Sequence, residues 1–334
     1  MTPRLLIIFC AALLAAAQLP AAEPAPPAQS YALLIGGLPG PEPYLHRYED
    51  WLGRFKKYLT TSSKLPAANV TVLSSDAATS EAIVSAIGKL GHRIKPRDQF
   101  ILFIVGHGEV SGPVPTLTLR GPDLSGPQLA AALKGIASKN QIILNFSASS
   151  GDFLKYLASP VRVNITANSP SEAEEPIFAE FFLRGLESKR ADPDNTITLL
   201  SAYNWAAKQT ASWIARWRQS GGFEPDSQMW KANGKETVEI FEKLYPNVPT
   251  RKLDPSSVRN VEDAEVEMAP PGGDITNAWI DRRVIGEHAL LEDCGKEIGV
   301  AFFGEKGCQP ILGINTQDPG YVAGGVVLGE PQNP

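Results

Sequence analysis

Gln99-Phe100-Ile101-Leu102-Phe103-Ile104-Val105-Gly106-His107-Gly108 is the stretch on which the fold turns. Phe100 to Val105 form an unbroken apolar run, rich in β-branched and aromatic side chains and without polar alternation. A strand of that kind is buried on both faces, which is the condition of a parallel sheet covered by helices on either side. Gly106 and Gly108 stop the run and leave His107 at its end.

Working outward, the same kind of run recurs. Tyr31–Gly37 (YALLIGG), Val70–Leu73, Gln141–Phe146 (QIILNF) and Val161–Thr166 read as four further strands. Helical patterns separate them. Tyr44–Leu59 carries Tyr48, Trp51, Leu52, Phe55 and Leu59 on one face. Thr79 stands as an N-cap before a helix to Leu90, with Ile83, Ile87 and Leu90 as its apolar stripe. Gln128–Ile136, Ile177–Leu186 and Leu199–Trp217 complete the set. Strand and helix alternate from Tyr31 to about Trp217, so the expected fold is α/β: three layers, a mostly parallel sheet flanked by helices, with a C-terminal extension. Ligand sites in such sheets lie at the carboxyl ends of the strands. His107 stands at one such end, and Ser147-Ala148-Ser149-Ser150-Gly151 follows another.

The ends of the chain read differently. Residues 1–22 have the form of a secretory signal: Arg4, an apolar run from Leu5 to Ala17, and small residues at Pro20-Ala21-Ala22. Residues 23–30 (EPAPPAQS) form a Pro-rich linker. The expected domain covers 31–218, and 219–334 is an extension of partly irregular character, its tail from Gly313 to Pro334 included. The expected location is therefore periplasmic or secreted, with no membrane span once the signal is removed. Export leaves two cysteines, Cys294 and Cys308, fourteen positions apart, for which a disulfide is expected. In the chain-entropy picture it would contribute about 3 kcal/mol.

Composition narrows the partners. The 334 residues hold 31 Lys and Arg against 36 Asp and Glu, a net charge of −5. That balance excludes a basic nucleic-acid footprint. No cofactor motif and no metal-ligand spacing is found; Cys294 and Cys308 lack the Cys-x-x-Cys arrangement. Asp192-Pro193-Asp194-Asn195 opens like a calcium loop but is too short and lacks the central glycine. Trp205, Trp213 and Trp217 read as a core stripe, Glu262–Glu267 as a solvated acidic loop, and His46, His92 and His288 as surface residues.

An apolar strand ending in His-Gly, and a second ending in a small-residue turn before Ser-Gly, resemble the caspase and legumain group of cysteine peptidases. The resemblance covers about Tyr31 to Trp217. It is nearest to bacterial exported legumain-like proteins, through Tyr31–Gly37, Thr71–Leu73, Ile165–Ala167 and Glu287–Leu291. It implies that His107 assists a nucleophile and that the Gly108 amide helps form an oxyanion hole. The nucleophile position, three residues before Gly151, holds Ala148. It stands 41 residues after His107, against a spacing of about 50 in caspases.

Alanine has no nucleophilic group, so the resemblance implies a catalytically inactive relative that binds a peptide or protein through the strand-end cleft. Two other readings stand beside it. One is an active endopeptidase or hydrolase with His107 as base and Ser147 or Ser149 as nucleophile. The other is a structural envelope protein. Ser147, Ser149 and Ser150 also read as caps of a helix beginning near Asp152. Oligomeric state is left open.

Overall fold

A computed structural model of the chain describes residues 26–39, 44–170, 176–188, 197–219, 288–297, 299–301 and 311–331. The expected signal, Asp192–Asn195, Glu262–Glu267 and Cys308 lie outside these residues. So the Cys294–Cys308 bridge does too; Cys294 itself is half-buried, its thiol 3.5 Å from Asp293 Oδ1.

Five parallel strands form the centre of the sheet: β1 (Ser30–Gly36), β2 (Val70–Ser74), β3 (Gln99–Gly106), β7 (Asn140–Ser147) and β8 (Arg162–Thr166). Two short strands, β9 (Leu290–Glu292) and β10 (Val300–Ala301), extend it antiparallel from β8, in the order β10-β9-β8-β7-β3-β1-β2. The sheet is thus completed by chain from beyond position 218. Sequence periodicity gave no sign of this, because two- and three-residue strands are too short to carry a period.

β3 is buried along its whole length, and its side chains divide between two cores as the pleat requires. Ile101, Phe103 and Val105 meet helix α1 (Tyr44–Thr61) with Trp51, Phe55 and Leu59, α5 (Phe178–Ser188) with Phe178 and Phe182, and α6 (Leu199–Gln219) with Tyr203. Phe100, Leu102 and Ile104 meet α2 (Ser80–Gly91) with Ile83, Ile87 and Leu90, and α3 (Gly126–Leu133) with Leu129 and Leu133. Each large apolar side chain so buried contributes about 1.5–3 kcal/mol. Phe103, Phe146 and Phe178 make successive edge-on contacts, with ring centroids 5.6 and 5.1 Å apart.

Local rules account for the helix ends. The Thr79 hydroxyl accepts the Ala82 amide at 3.1 Å, as expected. Helix α3 starts at Gly126 rather than Gln128, because Ser125 and Gln128 form a reciprocal capping box, and it stops at Leu133 before Gly135. The carboxylate of Glu180, fully buried on α5, accepts Trp51 Nε1, Arg54 Nη1 and Arg184 Nε, each at 2.8 Å, and so ties α1 to α5.

One expectation needs correction. The tail is not irregular throughout: Tyr321–Gly325 is a short helix, α7. Its first amides, those of Gly320 and Ala323, donate to the buried carboxylate of Asp293 at 2.9 and 3.0 Å. The cap comes from a residue remote in sequence, which no local pattern reveals. The chain after His107, to which the sequence reading assigned no element, also forms strands. Gly108–Ser111 (β4), Val114–Leu117 (β5) and Leu124–Ser125 (β6) form a separate antiparallel sheet in that order. A four-residue strand holding Pro115 gives too little period to be read.

Trp205 is half-buried and packs on the core beside α5; the side chains of Trp213 and Trp217 are outside the described set. His46 and His92 are exposed, and His288 is half-buried. No described helix is long and apolar enough to cross a membrane.

Candidate functional site

β3 and β7 are neighbours, paired in parallel register up to Gly106 opposite Ser147. That pairing brings the two motif-bearing strand ends side by side. The Ala148 amide then donates to the Gly106 carbonyl at 3.2 Å. Gly106 has a φ of +148°, and a Cβ there would stand 2.9 Å from Gly37 Cα. Only glycine fits this crossing of the β1 and β3 ends.

His107 leaves the crossing half-buried. Its Nε2 lies 2.8 Å from the carbonyl oxygen of Pro39, in the segment after β1. A carbonyl only accepts, so Nε2 carries the hydrogen, and in the neutral ring Nδ1 carries the lone pair. The ring also meets Tyr48 of α1 edge-on, centroids 5.8 Å apart at 75°. Two elements therefore hold the imidazole, the segment after β1 through the Pro39 carbonyl and α1 through the Tyr48 ring. The sequence named neither partner. Tyr48 reads as one more residue of an apolar stripe, and a backbone oxygen leaves no mark in a sequence.

The turn after β7 is sealed. Ser147 is fully buried and its hydroxyl donates to Asn145 Oδ1 at 2.8 Å. Ala148 is 2% exposed, with its carbonyl oxygen against Gly108. Ser149 sits in the left-handed region (φ 55°, ψ 22°), 1% exposed, and its hydroxyl finds no partner among the described residues. The Ser150 hydroxyl accepts the amides of Ala167 (3.1 Å) and Asn168 (3.2 Å) and lies 3.3 Å from Asn168 Oδ1. It thereby staples the turn to the segment after β8.

The helix-cap expectation for these serines is therefore corrected. The 3₁₀ turn Ser150–Phe153, which leads into helix α4 (Leu154–Leu157), has Ser149 at its N-cap, and no side chain caps it. The hydroxyls at 147 and 150 are drawn inward to buried amides instead, which cost more to leave unpaired than a helix end in water. Asn145, a polar residue inside an otherwise apolar strand, was the sequence signal for this inner network.

The arrangement holds an oriented imidazole beside glycine backbone and the methyl of Ala148. Neither Ser147 nor Ser149 offers its hydroxyl to solvent. Among the described residues no three His, Cys, Asp or Glu side chains gather to hold a metal. An open groove of about 810 Å³ lies elsewhere, lined by Thr198, Leu200, Asn204, Leu312 and Tyr321 among others. Thr198 bridges to Val327, whose carbonyl accepts Gln99 Nε2, at the other end of β3 from His107.

No family model matches the chain, and no curated protein does. Solved structures similar to it include a protein from Geobacter sulfurreducens (17% identity, TM-score 0.40), covering 54% of this chain and 89% of that one. Caspase-1 from Spodoptera frugiperda is 12% identical, with a TM-score of 0.38, over 55% of this chain and 77% of its own. The Drosophila initiator caspase Dronc is 9% identical, with a TM-score of 0.39, over 53% and 71%.

Proposed function

We propose that the chain is a catalytically inactive relative of the legumain- and caspase-type peptidases, exported to the periplasm or beyond. In this reading it binds a peptide or protein at the strand-end cleft around His107 and Gly108. The observation that carries it is Ala148: the turn beside the oriented imidazole has a methyl group at the nucleophile position, buried together with Ser147 and Ser149. The residue pattern His107-Gly108 and Ser150-Gly151, and their adjacency through the β3–β7 ladder, support the kinship.

The test has two readings in one experiment. An octapeptide library is incubated with the protein, then separated into bound and cleaved fractions. Retention of peptides that falls with His107→Ala, without cleavage, supports the proposal. Cleavage that requires His107 overturns it.

One observation favours the active-hydrolase alternative: the left-handed backbone of Ser149 and its hydroxyl, which has no partner among the described residues. Strained, unsatisfied residues concentrate at functional sites. That alternative requires covalent labelling by a fluorophosphonate, abolished by Ser149→Ala.

A further inference from the structure

β4 leaves His107 as the edge strand of the small sheet, and the phase of its hydrogen bonds can be read from two independent facts. The Thr118 amide donates to the His107 carbonyl at 3.0 Å. Pro115, which has no amide hydrogen, stands opposite Val110. In an antiparallel ladder bonded and non-bonded pairs alternate. The bonded pairs are therefore His107 with Thr118 and Glu109 with Thr116. Gly108 and Val110 turn their amides and carbonyls away from β5, along an edge that no described strand covers.

The faces of this sheet are unequal. Val110, Pro115, Leu117 and Leu124 share one face, on which Pro115, Leu117 and Leu124 are buried while Val110 is 39% exposed at the rim. Glu109, Thr116 and Ser125 share the other, with Glu109 exposed. A strand added to β4 has to continue both faces: apolar beside Val110, and of opposite charge beside Glu109.

We propose that the outer edge of β4 receives an extended peptide of alternating basic and β-branched residues as the fourth strand of this sheet. The inference rests on the peptide-binding reading above and specifies how the peptide is held: by main-chain bonds to Gly108 and Val110, with side chains read by Val110 and Glu109. It brings the bound peptide directly to the Gly108–Ala148 contact. A second copy of this chain is the poorer occupant, because pairing β4 with itself sets two Glu109 carboxylates on one face at close range.

The test uses the full chain and the peptide acetyl-Val-Lys-Val-Lys-Val-amide, measured by fluorescence anisotropy. Val110→Pro removes one outward amide without breaking a ladder bond, since edge strands tolerate proline there. It is expected to weaken binding about tenfold, and Glu109→Lys about threefold. If Val110→Pro proves to unfold the protein, the same question is put to the wild type with a peptide N-methylated at its central valine, which is expected to bind about tenfold more weakly. Equal affinity of the N-methylated and parent peptides overturns the β4 edge as the site. If this peptide does not bind while octapeptides are retained through His107, the edge inference fails and the proposed function stands. If nothing is retained, both fail. Dimerisation abolished by Val110→Pro would identify the second copy as occupant and overturn the peptide.

Discussion

The carbonyl oxygen of Ala148 lies against Gly108 in the place a side chain at 108 would take. The two strand ends of the site are therefore packed backbone to backbone, and the site's shape depends on the absence of one Cβ. Gly108→Ala is expected to destabilise the protein by about 2 kcal/mol, because the neighbour is a main-chain atom that cannot rotate aside. Gly53, exposed in α1 with open space about it, supplies the control. Gly53→Ala is expected to stabilise by about 0.8 kcal/mol through helix propensity. Urea unfolding of both variants checks the pair.

Two adjacent serines in one buried turn are expected to respond differently. Ser150→Ala removes a buried acceptor that the amides of Ala167 and Asn168 share, the Ala167 amide keeping its 3.2 Å bond to the Asn145 carbonyl, at a cost of about 2 kcal/mol. Ser149→Ala removes a hydroxyl that has no partner among the described residues, and is expected to change stability by less than about 0.5 kcal/mol. Unfolding midpoints in urea for the two variants decide this.

Glu180 accepts hydrogen bonds from Trp51, Arg54 and Arg184 while fully buried. Burial of the Arg54 guanidinium favours its neutral form. Its bonds and charge contacts with Glu187, Glu180 and Asp50 outweigh this and hold its pKa above the ordinary arginine value. Glu180→Ala removes the carboxylate and leaves the Trp51 indole N–H and two arginines without their shared acceptor. A loss of about 3 kcal/mol is expected, with α1 and α5 losing protection together in amide hydrogen exchange.

Much of the fold was readable in the sequence, for a definite reason. Strands such as Phe100–Val105 are apolar on every residue because both sheet faces are covered, and helices such as Ser80–Gly91 announce both their cap and their stripe. β9, β10 and α7 were not readable. Each is five residues or fewer and owes its existence to remote partners: β8 for the strands, Asp293 for the helix. The site divides likewise. His107 and Ala148 stand out by motif, and the β3–β7 register brings their strand ends together. Pro39 acts through its carbonyl, and Ser147 and Ser150 through hydroxyls turned inward, so residue type alone misassigned the serines as caps.

Ala148→Cys places a thiol in a site 2% exposed beside an oriented imidazole. Burial in apolar surroundings raises a thiol pKa, and enclosure denies access to reagents. Iodoacetamide is expected to modify the introduced thiol more slowly than it modifies a free cysteine in an unfolded peptide, and no peptidase activity is expected to appear. Mass spectrometry of the alkylated protein gives the rate.

The most direct test of the central claim is mass spectrometry of an octapeptide library after prolonged incubation with the wild-type chain. The expected result is an intact library, with a bound fraction that His107→Ala diminishes. New peptide termini that appear with the wild type and vanish with His107→Ala would contradict it.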